Sequence, residues 1–196
     1  MKSPRVLIGA DICDDFIARC AGEYHNAERN CHAPRQWAIL AGRITDDSIV
    51  VQALYDGTNV RDTDHAVILE YRAERAPRFG GVYTDLRRGY LCHPTDLLAV
   101  MRKAEAADQQ VLGSVHMHAD LHNLDRPDEL SPTITEMASP IDQDLFMATQ
   151  WPVNLILYFE RKARSLYHTF SAWGVPDSSA DPRYRPLPIG LERRDP

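Results

Sequence analysis

The chain is short of cysteines in the arrangements that carry chemistry. Its four, Cys13, Cys20, Cys31 and Cys92, make no CxxC pair and no zinc-knuckle spacing. That sets aside a dithiol redox centre and a cysteine-built zinc site, and leaves free thiols in a reducing, cytoplasmic compartment. Cys13 and Cys20 fall on one expected helix and read as small core residues. Long hydrophobic runs are also missing. The opening Val6-Leu7-Ile8-Gly9-Ala10 is too short for a secretory segment and meets Asp11 at once. No other stretch is long and apolar enough to span a membrane. Nor is there an excess of positive charge: 22 Lys and Arg stand against 28 Asp and Glu, a net charge of -6. Binding phosphate needs clustered cations, so neither a nucleic acid nor a membrane is the expected partner.

What remains is ordinary for one globular domain: 196 residues, 44% apolar and 26% charged. The domain is expected over residues 1–174. Five prolines follow (Pro176, Pro182, Pro186, Pro188, Pro196), so 175–196 reads as an extended tail that is disordered, lies in a groove or docks a partner. Val6 to Ile8 reads as a short strand. Asp11 caps a helix of about Ile12 to Glu23, with Ile12, Phe16, Ile17 and Cys20 as its apolar stripe. Tyr24 to Arg35 reads as a loop. Trp37–Ile44 and Ile49–Tyr55 read as a strand hairpin, and His65–Tyr71 as a third strand. Arg72 to Arg88 reads as a loop. Thr95 caps a helix of Asp96 to Ala107 that buries Leu97, Leu98, Val100 and Met101. Gln109–Met117 is the next strand, Ala119–Met137 a long polar loop, and Ser139-Pro140 opens a helix to about Gln150. Strands over Val153–Phe159 and Leu166–Trp173 complete a mixed α/β sheet with helices packed on it.

Two histidines, His116 and His118, end the strand at Gln109–Met117. Side chains at i and i+2 of a strand share a face, so both imidazoles project together while Val115 and Met117 point the other way. Two imidazoles with one carboxylate and a water make an open catalytic zinc site. Ser139-Pro140-Ile141-Asp142 offers the carboxylate. These residues make a helix start, with Ser139 at the N-cap and Asp142 completing a capping box. Alternatively, Asp142 is the third ligand and Ser139 a hydrogen-bond donor beside it.

Gly113, His116, His118, Ser139 and Asp142, followed by Pro152 and an apolar strand, resemble the JAMM (MPN-plus) metallopeptidase pattern Gly-x-x-His-x-His-Pro, loop, Ser-x-x-Asp, helix, strand. Ala38–Gly42 resembles that family's first strand. The resemblance covers about residues 10 to 174. It implies a single MPN-like domain with a curved mixed β-sheet flanked by helices, a cytidine-deaminase-like sandwich. It also implies zinc-dependent cleavage of a peptide or isopeptide bond at the C-terminal tail of a ubiquitin-like protein. Zinc brings the pKa of its water to about 7, a glutamate takes that proton, and the serine helps hold the oxyanion.

The sequence departs from the pattern in two places. The family's glutamate position, before the first strand, is Arg35, beside Gln36. Glu28 is then the base the preceding loop brings in, with Glu23 behind it and Glu136 on the other side. The loop after His118 is about a dozen residues longer than usual, and Ala119 replaces the proline. Glu129 in that loop is a rival third ligand. His122 reads as a surface residue, His168 as a sheet histidine, and Trp151 and Trp173 as packing.

Two other functions stand beside the peptidase. One is an MPN-like scaffold subunit of a protein complex, weak or inactive as a catalyst. The other is a metallo-β-lactamase-like zinc hydrolase, suggested by His116-x-His118-x-Asp120-x-His122.

Overall fold

A computed structural model describes residues 4–30, 35–61, 63–79, 90–120, 138–175 and 184–192. Eight strands form one sheet. They are β1 (Arg5–Gly9), β2 (Trp37–Ile44), β3 (Ser48–Tyr55), β4 (Gln110–Ala119), β5 (Val153–Lys162), β6 (Ser165–Gly174), β7 (Arg185–Leu187) and β8 (Ile189–Glu192). Their order across the sheet is β7-β6-β5-β4-β2-β3-β1-β8. The β1–β3, β1–β8 and β4–β5 pairs are parallel and the others antiparallel.

The sheet curls around α1 (Ala10–Asn30). This helix inserts Cys13, Phe16, Cys20 and Tyr24 into a core shared with Val6, Leu40, Val51, Val115, Leu157 and Leu187, so strands from one edge to the other line it. Three more helical segments are relevant to the site. Residues 65–79 are helical throughout, as α2 (His65–Glu70), a π-turn (Tyr71–Arg75) and α3 (Ala76–Phe79). The others are α4 (Pro94–Ala106) and α5 (Pro140–Thr149). The α4 side of the outer face buries Trp37, Ile39, Tyr90 and Val100, and the α5 side buries Phe146, Ile156, Trp173 and Tyr184.

Several expectations needed correction. The helix at Ile12–Glu23 runs on to Asn30, because Tyr24 and Ala27 continue the buried stripe of Cys13, Phe16 and Cys20 through polar neighbours. Tyr24 to Asn30 is therefore helix and not loop. The expected strand at His65–Tyr71 is helical. A short apolar run does not distinguish the two states, and here Asp64 decides by accepting hydrogen bonds from the Ala66 and Val67 backbone N–H groups. The described part of the expected 72–88 loop, up to Phe79, is helical too. On α4 the cap is His93, whose Nδ1 accepts from Thr95 N at 3.2 Å, and Pro94 stands in the first turn. Its buried stripe is Val100 and Ala104, while Leu98 and Met101 are exposed.

Past Val175 the chain rejoins the sheet. Arg185–Leu187 pairs with β6, and Ile189–Glu192 pairs with β1 at the opposite edge. One C-terminal segment, turning at Pro188, thus joins the two edges and nearly closes the sheet. Pro188 still contributes its carbonyl, which accepts from Val6 N at 2.8 Å. A proline is tolerated here because it sits between two short edge strands and not within a ladder.

β4 changes phase partway along. Leu40 pairs with Gly113 and Ala41 with Val111, which leaves Leu112 as a bulged residue. Leu112 and Val115 both face the α1 core. From Ser114 onward, the even-numbered side chains therefore face outward. Only glycine fits at the bulge, since a Cβ on Gly113 would lie 1.5 Å from the Val153 carbonyl oxygen. Gly113→Ala is expected to lose about 3 kcal/mol of folding stability, read by urea or thermal unfolding. Unfolding within about 0.5 kcal/mol of the parent would show that the two strands separate easily.

Candidate metal centre

The outward face of β4 carries Ser114, His116 and His118 in succession. β4 and β5 are adjacent parallel strands joined through α5, so the N-terminus of α5 stands over the C-terminal end of β4. Ligand sites favour this place because helix N–H groups and strand ends converge there. α5 brings Asp142 in its first turn.

His116, His118 and Asp142 meet. The two imidazoles approach through Nε2 at 3.0 Å. His116 Nε2 lies 3.2 Å from Asp142 Oδ1, and His118 Nε2 lies 3.4 Å from Oδ2. One ligand atom from each residue can be chosen so that all lie within 4.8 Å of one another. Zinc–ligand bonds of about 2.0–2.1 Å at tetrahedral angles set neighbouring ligand atoms about 3.3 Å apart. The observed separations lie near that spacing, although His116 approaches Oδ1 and His118 Oδ2, so the trio is able to hold a divalent ion. Among the described residues it is the one such trio of His, Cys, Asp and Glu side chains.

Asp142 serves as both cap and ligand. Its Oδ2 accepts from Ser139 N at 2.8 Å and from Ser139 Oγ at 2.6 Å, and Asp142 N donates back to Ser139 Oγ at 3.3 Å, a complete capping box. Oδ1 faces His116. The capping oxygen, Oδ2, is also the one that His118 Nε2 approaches, so cap and candidate ligand share it in part. Ser139 is brought to the site, but its hydroxyl proton is held by Asp142.

Burial sets the protonation states. His116 and Asp142 are buried, and His118 is half-buried. Desolvation pushes the His116 imidazole below its ordinary pKa and outweighs the attraction of Asp142, which disfavours the charged ring. Burial alone would raise Asp142. The charge and hydrogen bonds of His118 and His116 outweigh it and hold the carboxyl well below its usual range. A neutral imidazole and an anionic carboxylate are the forms that bind a metal.

The other candidates are elsewhere. Glu28 is on α1, on the far face of the sheet. Arg161 grips it with two hydrogen bonds, Nε to Oε1 at 2.8 Å and Nη2 to Oε2 at 2.7 Å. Slight burial works against the charged form, but Arg161 and His25 still hold this carboxyl below its ordinary value. Glu28 therefore does not stand in a loop beside the metal centre: the continuing helix carries it to Arg161. Glu23, also on α1, accepts from Arg35 N at 3.3 Å. Asp120 accepts from Tyr24 OH at 2.7 Å and from Arg161 N at 2.8 Å, outside the trio, which removes the carboxylate of the metallo-β-lactamase-like pattern from the site. Glu129, Glu136 and His122 lie outside the described residues. His168 stands on β6 against Phe159, with ring centres 5.7 Å apart. Trp173 is buried as packing. Trp151 packs less deeply and accepts from Tyr184 OH at 3.3 Å.

Trp37 pairs with His116, and Met117 N donates to Gln36 O at 2.9 Å, one step further along. Continued one residue more, that register sets Arg35 opposite His118. Sequence reasoning missed Tyr90, Ser114 and Asn154, three buried polar residues beside His116. One available signal was Asn154, the single polar side chain at the start of the apolar run Val153–Phe159.

His116→Ala and His118→Ala proteins are each expected to lose stoichiometric zinc in elemental analysis, while E28Q keeps it. Zinc retained by both histidine variants would remove the centre. Affinity falls with acid as the ligands take up protons. For His116, burial moves that loss below the ordinary imidazole value of 6.5, which a metal titration from pH 8 to 5 reads.

No family model matches this sequence, and no curated protein matches it. Among solved structures, the solution structure of protein DSY2949 from Desulfitobacterium hafniense, a structural-genomics target, is similar over 96% of this chain and 94% of its own, with a TM-score of 0.54 and 12% identity. That likeness is one of fold. No described helix is long and apolar enough to cross a membrane. The fold is mixed α/β, a nearly closed eight-stranded sheet flanked by helices, and its buried His116 and Asp142 with half-buried His118 are able to hold a metal ion.

Proposed function

We propose that this is a metal-dependent hydrolase of the JAMM type, a zinc peptidase or isopeptidase acting on the extended tail of a ubiquitin-like protein. The trio carries the reading: two imidazoles from one strand end and a carboxylate from a helix N-terminus, brought close enough to share one ion. A sheet curled around a long helix supports it as well. The choice of a ubiquitin-like tail comes from the sequence resemblance alone.

A divalent metal held there supplies Lewis acidity and a nucleophilic water. The chain's own residues do the rest. His116 and His118 set two directions of the ligand sphere from a rigid strand. Asp142 supplies the anionic ligand, anchored by its own helix cap. Ser139 is the hydroxyl nearest the carboxylate and is the donor available to a developing oxyanion once it turns from Oδ2. The N-terminus of α5 adds positive dipole at the same point.

A second reading has an observation in its favour. Arg161 holds Glu28, and Arg35 occupies the position where the resemblance calls for the base. Among the described residues no glutamate joins the trio. A metal-binding scaffold subunit that does not hydrolyse fits those facts.

The two readings separate in one assay. Zinc-loaded protein is incubated with ubiquitin-like conjugates and with tail peptides bearing a C-terminal reporter. The hydrolase reading expects cleavage that a chelator stops and that Asp142→Ala lowers by at least about 10²-fold. S139A is expected to keep its metal, lose roughly 10²-fold in turnover and lose about 1 kcal/mol of stability with the cap. Equimolar zinc with no cleavage of any substrate favours the scaffold.

A further inference from the structure

We propose that Tyr90 is a positioning residue of the metal centre, locked by a buried chain through Ser114 and Asn154 so that its ring fixes the His116 imidazole. The proposal rests on reading the trio as a metal centre and goes beyond it to what orients the ligand.

The chain has a definite direction. Ser114 Oγ donates to Asn154 Oδ1 at 2.9 Å, and a carbonyl oxygen only accepts. A hydroxyl has one proton, so the 2.6 Å contact between Tyr90 OH and Ser114 Oγ has Tyr90 as donor. The run is Tyr90 O–H to Ser114 O–H to Asn154 carbonyl. Ser114 is 0% exposed and Asn154 1%, so water does not compete for these bonds.

The geometry ties this chain to the ligand. Ser114 stands two residues before His116 on the same face of β4, past the bulge that turned that face outward. Tyr90 reaches over both residues. Its hydroxyl is pinned at Ser114, and its ring lies 5.0 Å from the His116 ring, tilted by 43°. On its other side it stacks on Trp37 at 5.1 Å and 15°. Phe146 approaches His116 at 6.4 Å from the α5 side. His116 is thus held between aromatic rings, and the hydroxyl chain fixes the position of the one nearer to it. Of the described residues, none bonds to His116 Nδ1, so these rings, and not a hydrogen bond to that nitrogen, set the orientation.

Packing alone does not account for the chain. It occupies a place where apolar side chains would fill the same volume without burying polar atoms. The Asn154 amide nitrogen is itself buried with no partner among the described residues. A polar run that gains so little in stability is explained by what it orients.

The test uses the full chain and cobalt(II) alone as probe. Wild-type protein is expected to take one equivalent, with the visible absorption of a four-coordinate site. Y90F keeps the ring and removes the donor. It is expected to fold, with a metal-free melting midpoint within about 5 °C of wild type. It should bind cobalt about tenfold more weakly with shifted bands. S114A should do the same, and the Y90F/S114A double variant should be no weaker than either, because both act through one chain. If Y90F fails to fold, S114A decides on the same readouts. Folded variants with wild-type affinity and an unchanged spectrum would overturn the proposal while leaving the metal centre standing. A wild-type protein that takes up no cobalt or zinc would overturn both.

Discussion

Everything at the candidate centre depends on one close approach of backbone to backbone. At Gly113 the strand passes so near the Val153 carbonyl that a single added carbon would lie 1.5 Å from it. The bulge at Leu112 shifts the alternation by one residue. Without it, the residues now facing α1 and those now facing α5 would exchange sides. His116 and His118 would enter the apolar core, and Val115 and Met117 would face the helix that carries Asp142. The glycine thus sets which side of the sheet has chemistry.

The second support comes from the far end of the chain. The segment that nearly closes the sheet also braces α5. Tyr184 N donates to the Gln143 side chain at 3.1 Å, one residue after Asp142, and the Tyr184 ring packs 5.4 Å from Phe146. The ligand helix is therefore fixed by its cap at one end of its first turn and by the C-terminal segment beside it. A prolyl-rich composition marks a segment that cannot be a central strand, but says nothing of whether its edges find partners.

The legible parts of the sequence were those written in local chemistry. Trp37–Ile44 and the two strands after α5 have apolar patterns with clear ends, and Ser139-Pro140 is a helix start by its own hydrogen bonds. The His-x-His pair gave its shared face from strand period alone. Long-range choices were less visible. The apolar run at Ala66–Leu69 does not by itself separate helix from strand; the signal that does is the adjacent Asp64 cap. The length of α1 followed from Tyr24 meeting a core drawn from seven strands and from the burial of Ala27 beyond it, a fact of tertiary packing. That same extension carried Glu28 to Arg161. Tyr90 stayed hidden because its role depends on Ser114 and His116, at sequence separations of 24 and 26, and of the hydroxyl chain only its far end, Asn154, stood out as a polar residue in an apolar strand.

The energetics of the trio favour a cation as the group that completes it. A buried carboxylate is a weak way to stabilise a fold, because desolvating it costs several kcal/mol that pairing only partly returns. The helix cap needs one oxygen, Oδ2, and an exposed aspartate would serve as well. The carboxylate and the two imidazole nitrogens converge from three directions, His116 on Oδ1 and His118 on Oδ2. Burial works against a charged His116, which weakens the balance its ring offers to Asp142. One proton shared among the three groups satisfies one pair at a time. A divalent ion satisfies all three together, and its binding energy is available only to the folded arrangement. Ligands that lose stability when empty gain it when filled, and the buried position of Asp142 is then a requirement of the metal site and not a defect of the core.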